Sequence, residues 1–233
     1  MKAELIFENA DIEVWDKPSG WSTHNEPPSL QEFLTQRSSG PLHFLNRLDA
    51  ETSGLVVLVK KAERVSFYQD IWQQAGTRKI YWGLHRRPRD FKMQPQDWHW
   101  PLSDKSEGYK NPQGLAKDRV ACSTHFVPIS ETRHLIFSAL ILETGRQHQI
   151  RKHSCVAGCE LIGDKRYGET AYNRKLSAHI PDLRLGLHCA ALVWTVPDSP
   201  QILSTKAPPF FEKLIPDAGR KFEEFLRSLP NSL

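Results

Sequence analysis

Residues 46–55 read Asn46-Arg47-Leu48-Asp49-Ala50-Glu51-Thr52-Ser53-Gly54-Leu55, and an apolar run carries on to residue 59. An Arg-Leu-Asp step that passes through a Thr-Ser-Gly turn into such a run holds a guanidinium and a carboxylate on a short connection at the mouth of a buried strand. A carboxylate kept there can act as a nucleophile or as a base. A second polar cluster, Gly145-Arg146-Gln147-His148-Gln149-Ile150-Arg151, lies further along the chain. Together the two clusters make the chain a candidate enzyme.

Several elements must position these groups. Strands are expected near residues 5–7 and 12–15, with a turn at Asp16-Lys17-Pro18-Ser19-Gly20. A short helix follows, capped by Ser29 with Glu32 completing a Ser-x-x-Glu box and Leu30, Phe33 and Leu34 as its apolar stripe. After the strand at 55–59, Ala62, Val65, Tyr68, Ile71, Trp72 and Ala75 recur at helical spacing, and Gly76 offers the stop. Residues 79–85 alternate like a strand and place Tyr81 near its middle. Segment 87–118 is irregular and rich in Pro, Gly, Lys and Asp, which marks a long functional or mobile loop insertion.

Strands at 122–128 and 135–142 lead to Thr144, which can cap a helix with Gln147 reaching back. Arg151 then lies two turns in and shares a face with Gln147 and His148. Another buried strand spans 185–196 and stops at Pro197-Asp198-Ser199-Pro200, and 209–229 forms a closing helical segment with Phe222, Phe225, Leu226 and Leu229 on one face. Strands outnumber helices without strict alternation. The fold class is therefore α+β, with a mixed sheet, in a single domain over residues 1–233.

Composition excludes other classes. With 39% apolar residues, seven Trp and eleven Phe among 233 residues, the chain has ample material for a core. No apolar stretch is long enough for a signal peptide or a membrane span, so the chain reads as cytoplasmic, with no membrane partner; a monomer is expected. Cys122, Cys155, Cys159 and Cys189 form no paired knuckle; they read as reduced, mostly buried thiols and not as a zinc site. Net charge is only +4, yet basic residues clump at 78–79, 85–89, 146–153, 165–166 and 174–175. If the clumps converge, they form a face for nucleic acid.

The resemblance is specific at this point. Residues 46–58 resemble the catalytic motif of the RluA-type pseudouridine synthases, usually His-Arg-Leu-Asp followed by Thr-Ser-Gly-Leu. Asp16 to Trp21 resembles the family's Lys-Pro-x-Gly turn, and Arg78-Lys79-Ile80-Tyr81 its Lys-x-Tyr strand. Residues 145–153 resemble its Gly-Arg-Thr-His-Gln-Ile-Arg helix, 161–168 its Gly-Asp-x-x-Tyr-Gly segment, and Leu187-His188-Cys189-Ala190 its Leu-His-Ala strand. Asn46 stands where the family usually has histidine, and Gln147 replaces a common threonine. The small basic RNA-binding domain that many relatives carry ahead of the catalytic one is not seen, so the expectation is a short, catalytic-domain form.

The resemblance implies a mainly antiparallel central sheet flanked by helices, with an active-site cleft across it. It implies a synthase that isomerises uridines of ribosomal or transfer RNA, with Asp49 as catalytic carboxylate, Tyr81 against the target uracil and Arg151 as partner of Asp49. A nearby guanidinium would keep that carboxylate ionised. Arg47, Asn46, Arg146, His148, Lys17, Arg78 and Arg87 are the candidate RNA-binding residues. No metal or organic cofactor is required, because the isomerisation involves no net redox change. The alternative is a non-catalytic RNA-binding or RNA-folding protein on the same scaffold, suggested by Asn46 and by the basic clumps. A glycosidase is disfavoured because the only nearby second acid, Glu51, sits on the same turn.

Overall fold

The structure, a computed structural model, describes residues 2–24, 26–37, 40–74, 76–105, 108–142, 144–194, 196, 199 and 201–229. The elements in chain order are β1 (Glu4–Glu8), β2 (Ile12–Lys17), α1 (Leu30–Thr35), β3 (His43–Phe44), β4 (Ser53–Val59), α2 (Val65–Gln73), β5 (Arg78–Arg86), β6 (Gln96–Trp98), β7 (Leu102–Ser103), β8 (Arg119–Val120) and β9 (Thr124–Glu131). They continue with β10 (Leu135–Leu142), α3 (Gln149–Val156), α4 (Thr170–His179), β11 (Leu187–Val193), β12 (Ile202–Ser204), α5 (Pro209–Leu214) and α6 (Ala218–Ser228). The chain divides into two compact units, Met1–Ile80 with His188–Lys206, and Tyr81–Leu187 with Ala207–Leu233. Both are sheets with helices, mostly antiparallel, which is the expected α+β class.

In the first unit the strands run in the order β1-β2-β4-β11, with β3 also on β4 and β12 on β11. All pairs are antiparallel except β11 with β4, where Cys189 faces Gly54. Every residue of β4 is buried, so this strand has no polar face to alternate with an apolar one. Ser29 caps α1 as expected, its hydroxyl oxygen accepting from the Glu32 amide at 3.0 Å. The expected stop at Gly76 is corrected: α2 has already ended at Gln73, with Gln74 extended. Ala75 of the helical stripe lies outside the described residues.

The second unit carries β5-β10-β9-β6. Its core gathers aromatic rings, with Trp82 lying 5.5 Å from Phe137, 5.4 Å from Phe211 and 4.9 Å from Phe222 between centroids, edge on in each case. This anchors the closing segment, α5 and α6, by burial of large aromatic area. Strand β5 is buried from Ile80 to His85, so the expected alternation gives way to burial on both faces.

Segment 87–118 is not simply irregular. Gln96–Trp98 pairs with β9, Trp98 is buried and stacks on Phe126 at 4.8 Å, and β7 pairs with β8. The buried strand expected at 185–196 is β11, while its expected stop at Pro197, Asp198 and Pro200 lies outside the described residues. Among the described residues no helix is long and apolar enough to cross a membrane.

Candidate active site

Asp49 belongs to the first unit, on the connection from β3 to β4. The chain approaches along β4: His43 and Phe44 pair with Val59 and Leu58, and the Leu45 amide donates to the Val57 carbonyl at 2.9 Å. At Asn46 the side chain takes over from the backbone. Its Nδ2 donates to the Leu55 carbonyl at 3.1 Å and its Oδ1 accepts from the Val57 amide at 2.8 Å, as a peptide unit would. A primary amide carries one donor group and one acceptor, which is what this junction requires. Asn46 thus has a framework task at this junction, beside its expected role as an RNA contact.

Beyond Asn46 the loop is held at nearly every step. Thr23 Oγ1 donates to the Leu48 carbonyl and accepts from the Leu48 amide, both at 3.1 Å. The Ala50 carbonyl accepts from the Gly20 amide at 2.8 Å and from Lys17 Nζ at 3.4 Å. Ser19 Oγ donates to the Glu51 carbonyl at 2.7 Å, and the Thr52 amide closes a turn on the Asp49 carbonyl at 3.0 Å. Gly54 follows at φ +117, where a Cβ would stand 2.2 Å from the Cys189 carbonyl oxygen, so only glycine lets β4 meet β11 here. Asp49 itself is half-buried and Arg47 exposed.

Lys17 needs a correction. It is 0% exposed, and its ammonium also donates to the carbonyls of Trp21 at 2.6 Å and Pro18 at 3.1 Å. Its place is inside the turn that grips the Asp49 loop, not on an RNA surface. His188 is also structural: one ring nitrogen lies 2.8 Å from Ser53 Oγ and the other 2.6 Å from Thr205 Oγ1.

The second unit holds Tyr81 and Arg151. Tyr81 is buried in β5, at 7% exposure. The Ile162 amide donates to the Leu84 carbonyl and the Arg86 amide to the Glu160 carbonyl, laying residues 160–162 along β5. The chain then turns at Gly163 and delivers Asp164. Arg151 meets that carboxylate bidentately, Nε to Oδ2 at 2.7 Å and NH2 to Oδ1 at 2.8 Å, with both side chains buried.

Oδ1 also accepts from the amides of Arg166 and Tyr167, each at 2.9 Å. Burial alone would push this carboxyl upward, but the Arg151 guanidinium and the two amides outweigh it and hold Asp164 below the usual carboxylate range. The Tyr167 ring lies over the guanidinium at 5.3 Å, and its hydroxyl is 3.0 Å from His148 Nδ1.

The start of α3 differs from expectation. His148 adopts a left-handed conformation at φ +55 and stands outside the helix, which begins at Gln149. Gln149, not Gln147, reaches back: its Oε1 accepts from Thr144 Oγ1 at 2.7 Å and from the Arg146 amide at 3.1 Å. Arg151 therefore sits in the first turn of α3 and shares no helical face with Gln147.

The basic clumps divide by burial. His85 is fully buried, and desolvation pulls its pKa down to about 4 despite the Cys159 carbonyl at 2.9 Å. Lys152 and His153 are 0% exposed; Lys152 Nζ donates to the carbonyls of Ser103 at 2.6 Å and Lys105 at 2.8 Å, and burial lowers His153. Arg87 pairs with Glu131 at 2.6 Å and Arg146 with Asp104 at 3.4 Å, both partly exposed; Arg78 is half-buried. The four cysteines are free thiols and three are buried, as expected. Asp164 as a partner of Arg151 was not foreseen from the sequence, although it lies in the 161–168 motif.

Two solved structures share this architecture. Human RNA Pseudouridylate Synthase Domain Containing 1 superposes with a TM-score of 0.75 at 20% identity, over 98% of this chain and 96% of that one. Human RNA Pseudouridylate Synthase Domain Containing 4 gives 0.71 at 22% identity, over 97% and 94%. The fold is that of the pseudouridylate synthases.

In sequence, residues 11–154 match the RNA pseudouridylate synthase family, and the chain belongs to that family of isomerases. It is 24% identical over 222 residues to tRNA pseudouridine synthase C of Yersinia pestis, covering 88% of this chain and 85% of the relative. It is 30% identical over 218 residues to ribosomal large subunit pseudouridine synthase C of Escherichia coli K12, covering 88% of this chain and 66% of that relative's length.

Proposed function

We propose that this chain converts uridine to pseudouridine in ribosomal or transfer RNA, with Asp49 as the catalytic carboxylate, Tyr81 as the aromatic at the target uracil and Arg151 as the guanidinium the chemistry requires. In that reaction the N1–C1′ bond breaks, the uracil turns, and a C5–C1′ bond forms while C5 releases its proton and N1 gains one. An ionised carboxylate suits an electron-poor ribose, and no cofactor need enter. The observation that carries the reading is the Asn46 to Thr52 loop, where Thr23, Lys17, Gly20, Ser19 and Asn46 hold the backbone on both sides of Asp49. Fixing a reacting group in advance removes ordering from the barrier.

The target base must leave its stack, at a cost of a few kcal/mol. Stacking on Tyr81 would return about 1–3 kcal/mol. Arg47, exposed on the loop, is placed to fill the vacated space or meet a phosphate. The non-catalytic alternative drew on Asn46 and on the basic clumps; the amide's framework task beside β4 gives Asn46 a use under either reading, and the Asp49→Ala variant below distinguishes the two.

The test is release of tritium into water from ribosomal and transfer RNA labelled at uracil C5. The expected result is release by the wild type and none by Asp49→Ala. Equal release by both proteins would end the assignment of Asp49, and no release from either RNA class would end the reading for those substrates. Mapping pseudouridines in cells with and without the protein would identify the site.

A further inference from the structure

Asp164 has no part in the chemistry above, yet its carboxylate is 1% exposed and ionised beneath the guanidinium of Arg151. A buried charge persists only when it is paired and hydrogen-bonded. Here it takes both Arg151 bonds and two backbone amides. The segment that presents it is itself pinned. Gly163 has φ +69, and a Cβ there would stand 2.1 Å from the Arg184 carbonyl oxygen.

The Asn173 side chain accepts from the Gly163 amide and donates to the Asp164 carbonyl, each at 3.0 Å, and the Gly168 amide donates to the same carbonyl at 3.0 Å. The Arg151 guanidinium carbon lies over the Tyr167 ring, 5.3 Å from its centre, and the Tyr167 hydroxyl is joined to His148 at the mouth of α3. A planar cation held bidentately by a carboxylate and set over an aromatic ring keeps its heading.

We infer that Asp164 is a positioning residue for Arg151, and that with Tyr167 and His148 it orients the guanidinium before RNA binds. The inference rests on the reading that Arg151 serves the isomerisation. Arginine surrenders considerable rotamer freedom when it is fixed, and a bracket built into the fold meets that cost during folding, not during turnover.

The test compares wild type, Asp164→Asn, Arg151→Lys, their double variant and Tyr167→Phe by tritium release from labelled RNA, with folding followed by circular dichroism. Asp164→Asn keeps the shape and removes the charge. Its kcat should fall about a hundredfold, the scale of a misplaced catalytic group. KM for RNA should stay within about threefold, since binding is untouched. The double variant should be no slower than the slower single variant, because both changes undo one interaction.

Tyr167→Phe, which loses only the hydroxyl beside His148, should lower kcat several-fold with KM unchanged. A purely structural Asp164 would instead give a lower melting temperature with wild-type kcat per folded molecule, or losses that multiply in the double variant; either overturns the inference. Should Asp164→Asn fail to fold, a Tyr167→Phe enzyme with wild-type kcat overturns it. Failure of the underlying reading is recognisably different, because Arg151→Lys would then itself turn over at the wild-type rate.

Discussion

The Asp49 loop and the Arg151 bracket are both rigid, by opposite means. The loop is caught by many neutral hydrogen bonds to backbone amides and carbonyls, supplemented by the one buried ammonium of Lys17. The bracket is built on a buried ion pair, Arg151 with Asp164. Neutral bonds contribute about 1 kcal/mol each, and losing one leaves its neighbours in place. Removing one partner of a buried pair strands the other charge. The loop should therefore fail gradually and the bracket in one step.

The sharpest way to expose that difference is Asp164→Ala, which takes the Asp164 carboxylate away from the buried guanidinium of Arg151. Stability should drop by about 3–5 kcal/mol, read as the shift in urea unfolding. A loss no larger than that of a single loop substitution would erase the distinction between the two regions.

Acid should act next, on the second unit in two stages. His85 lies in the second unit, one ring nitrogen on the Cys159 carbonyl and the other on Ser138 Oγ, and its pKa falls to about 4 through burial. Because the folded value lies below the unfolded one, its full contribution is present above pH about 6.5. Between that value and about 4 the unfolded chain takes up the proton first, and about 3 kcal/mol is lost. Asp164, also lowered, adds a further loss only below the ordinary carboxylate range. Measured by unfolding free energy against pH, His85→Gln should flatten the first stage and leave the second.

The same two residues show what was legible in the chain. The buried strands β4 and β10 stand out as apolar runs because burial on both faces leaves only one polar position in each, Ser53 and Ser138. Lys17, His85, Lys152 and His153 counted as basic, since a sequence displays charge but not the carbonyls that draw an ammonium or imidazole inward. Asp164 lies thirteen residues from Arg151 on no shared element, so no helical or strand spacing connects them. The two- and three-residue strands β6, β7 and β8 are too short to show a period, and α4 buries no residue and so has no apolar stripe. The start of α3 was misplaced because Thr-x-x-Gln fits a capping box at Gln147, whereas the left-handed turn at His148 puts Gln149 within reach.

Within the loop, Thr23 should be the most sensitive of the neutral supports. Its one hydroxyl serves both backbone groups of the buried Leu48, so Thr23→Val leaves an amide and a carbonyl without that partner at nearly constant volume. About 2 kcal/mol should be lost. Catalysis should fall further than stability alone predicts, because Leu48 precedes Asp49. Comparing kcat per folded molecule with the melting shift separates the two effects.

Asn46 gives the smallest expected effect and the finest check on the comparison. Its amide replaces two bonds of the β3–β4 ladder, but the residue is half-buried, so water can reach the Leu55 carbonyl and the Val57 amide once the side chain is cut back. Asn46→Ala should therefore lose about 1 kcal/mol, less than Thr23→Val although both remove two bonds. Asn46→Asp keeps an acceptor for the Val57 amide but sets a carboxylate oxygen against the Leu55 carbonyl, where a donor stood at 3.1 Å. It should be no better than alanine. Tritium release by all three variants should stay within about tenfold of wild type, in proportion to how far residues 46–48 shift the aspartate. If Asn46→Ala proved as damaging as Asp164→Ala, the loop would fail in one step as the bracket does, and the contrast drawn from these two regions would be wrong.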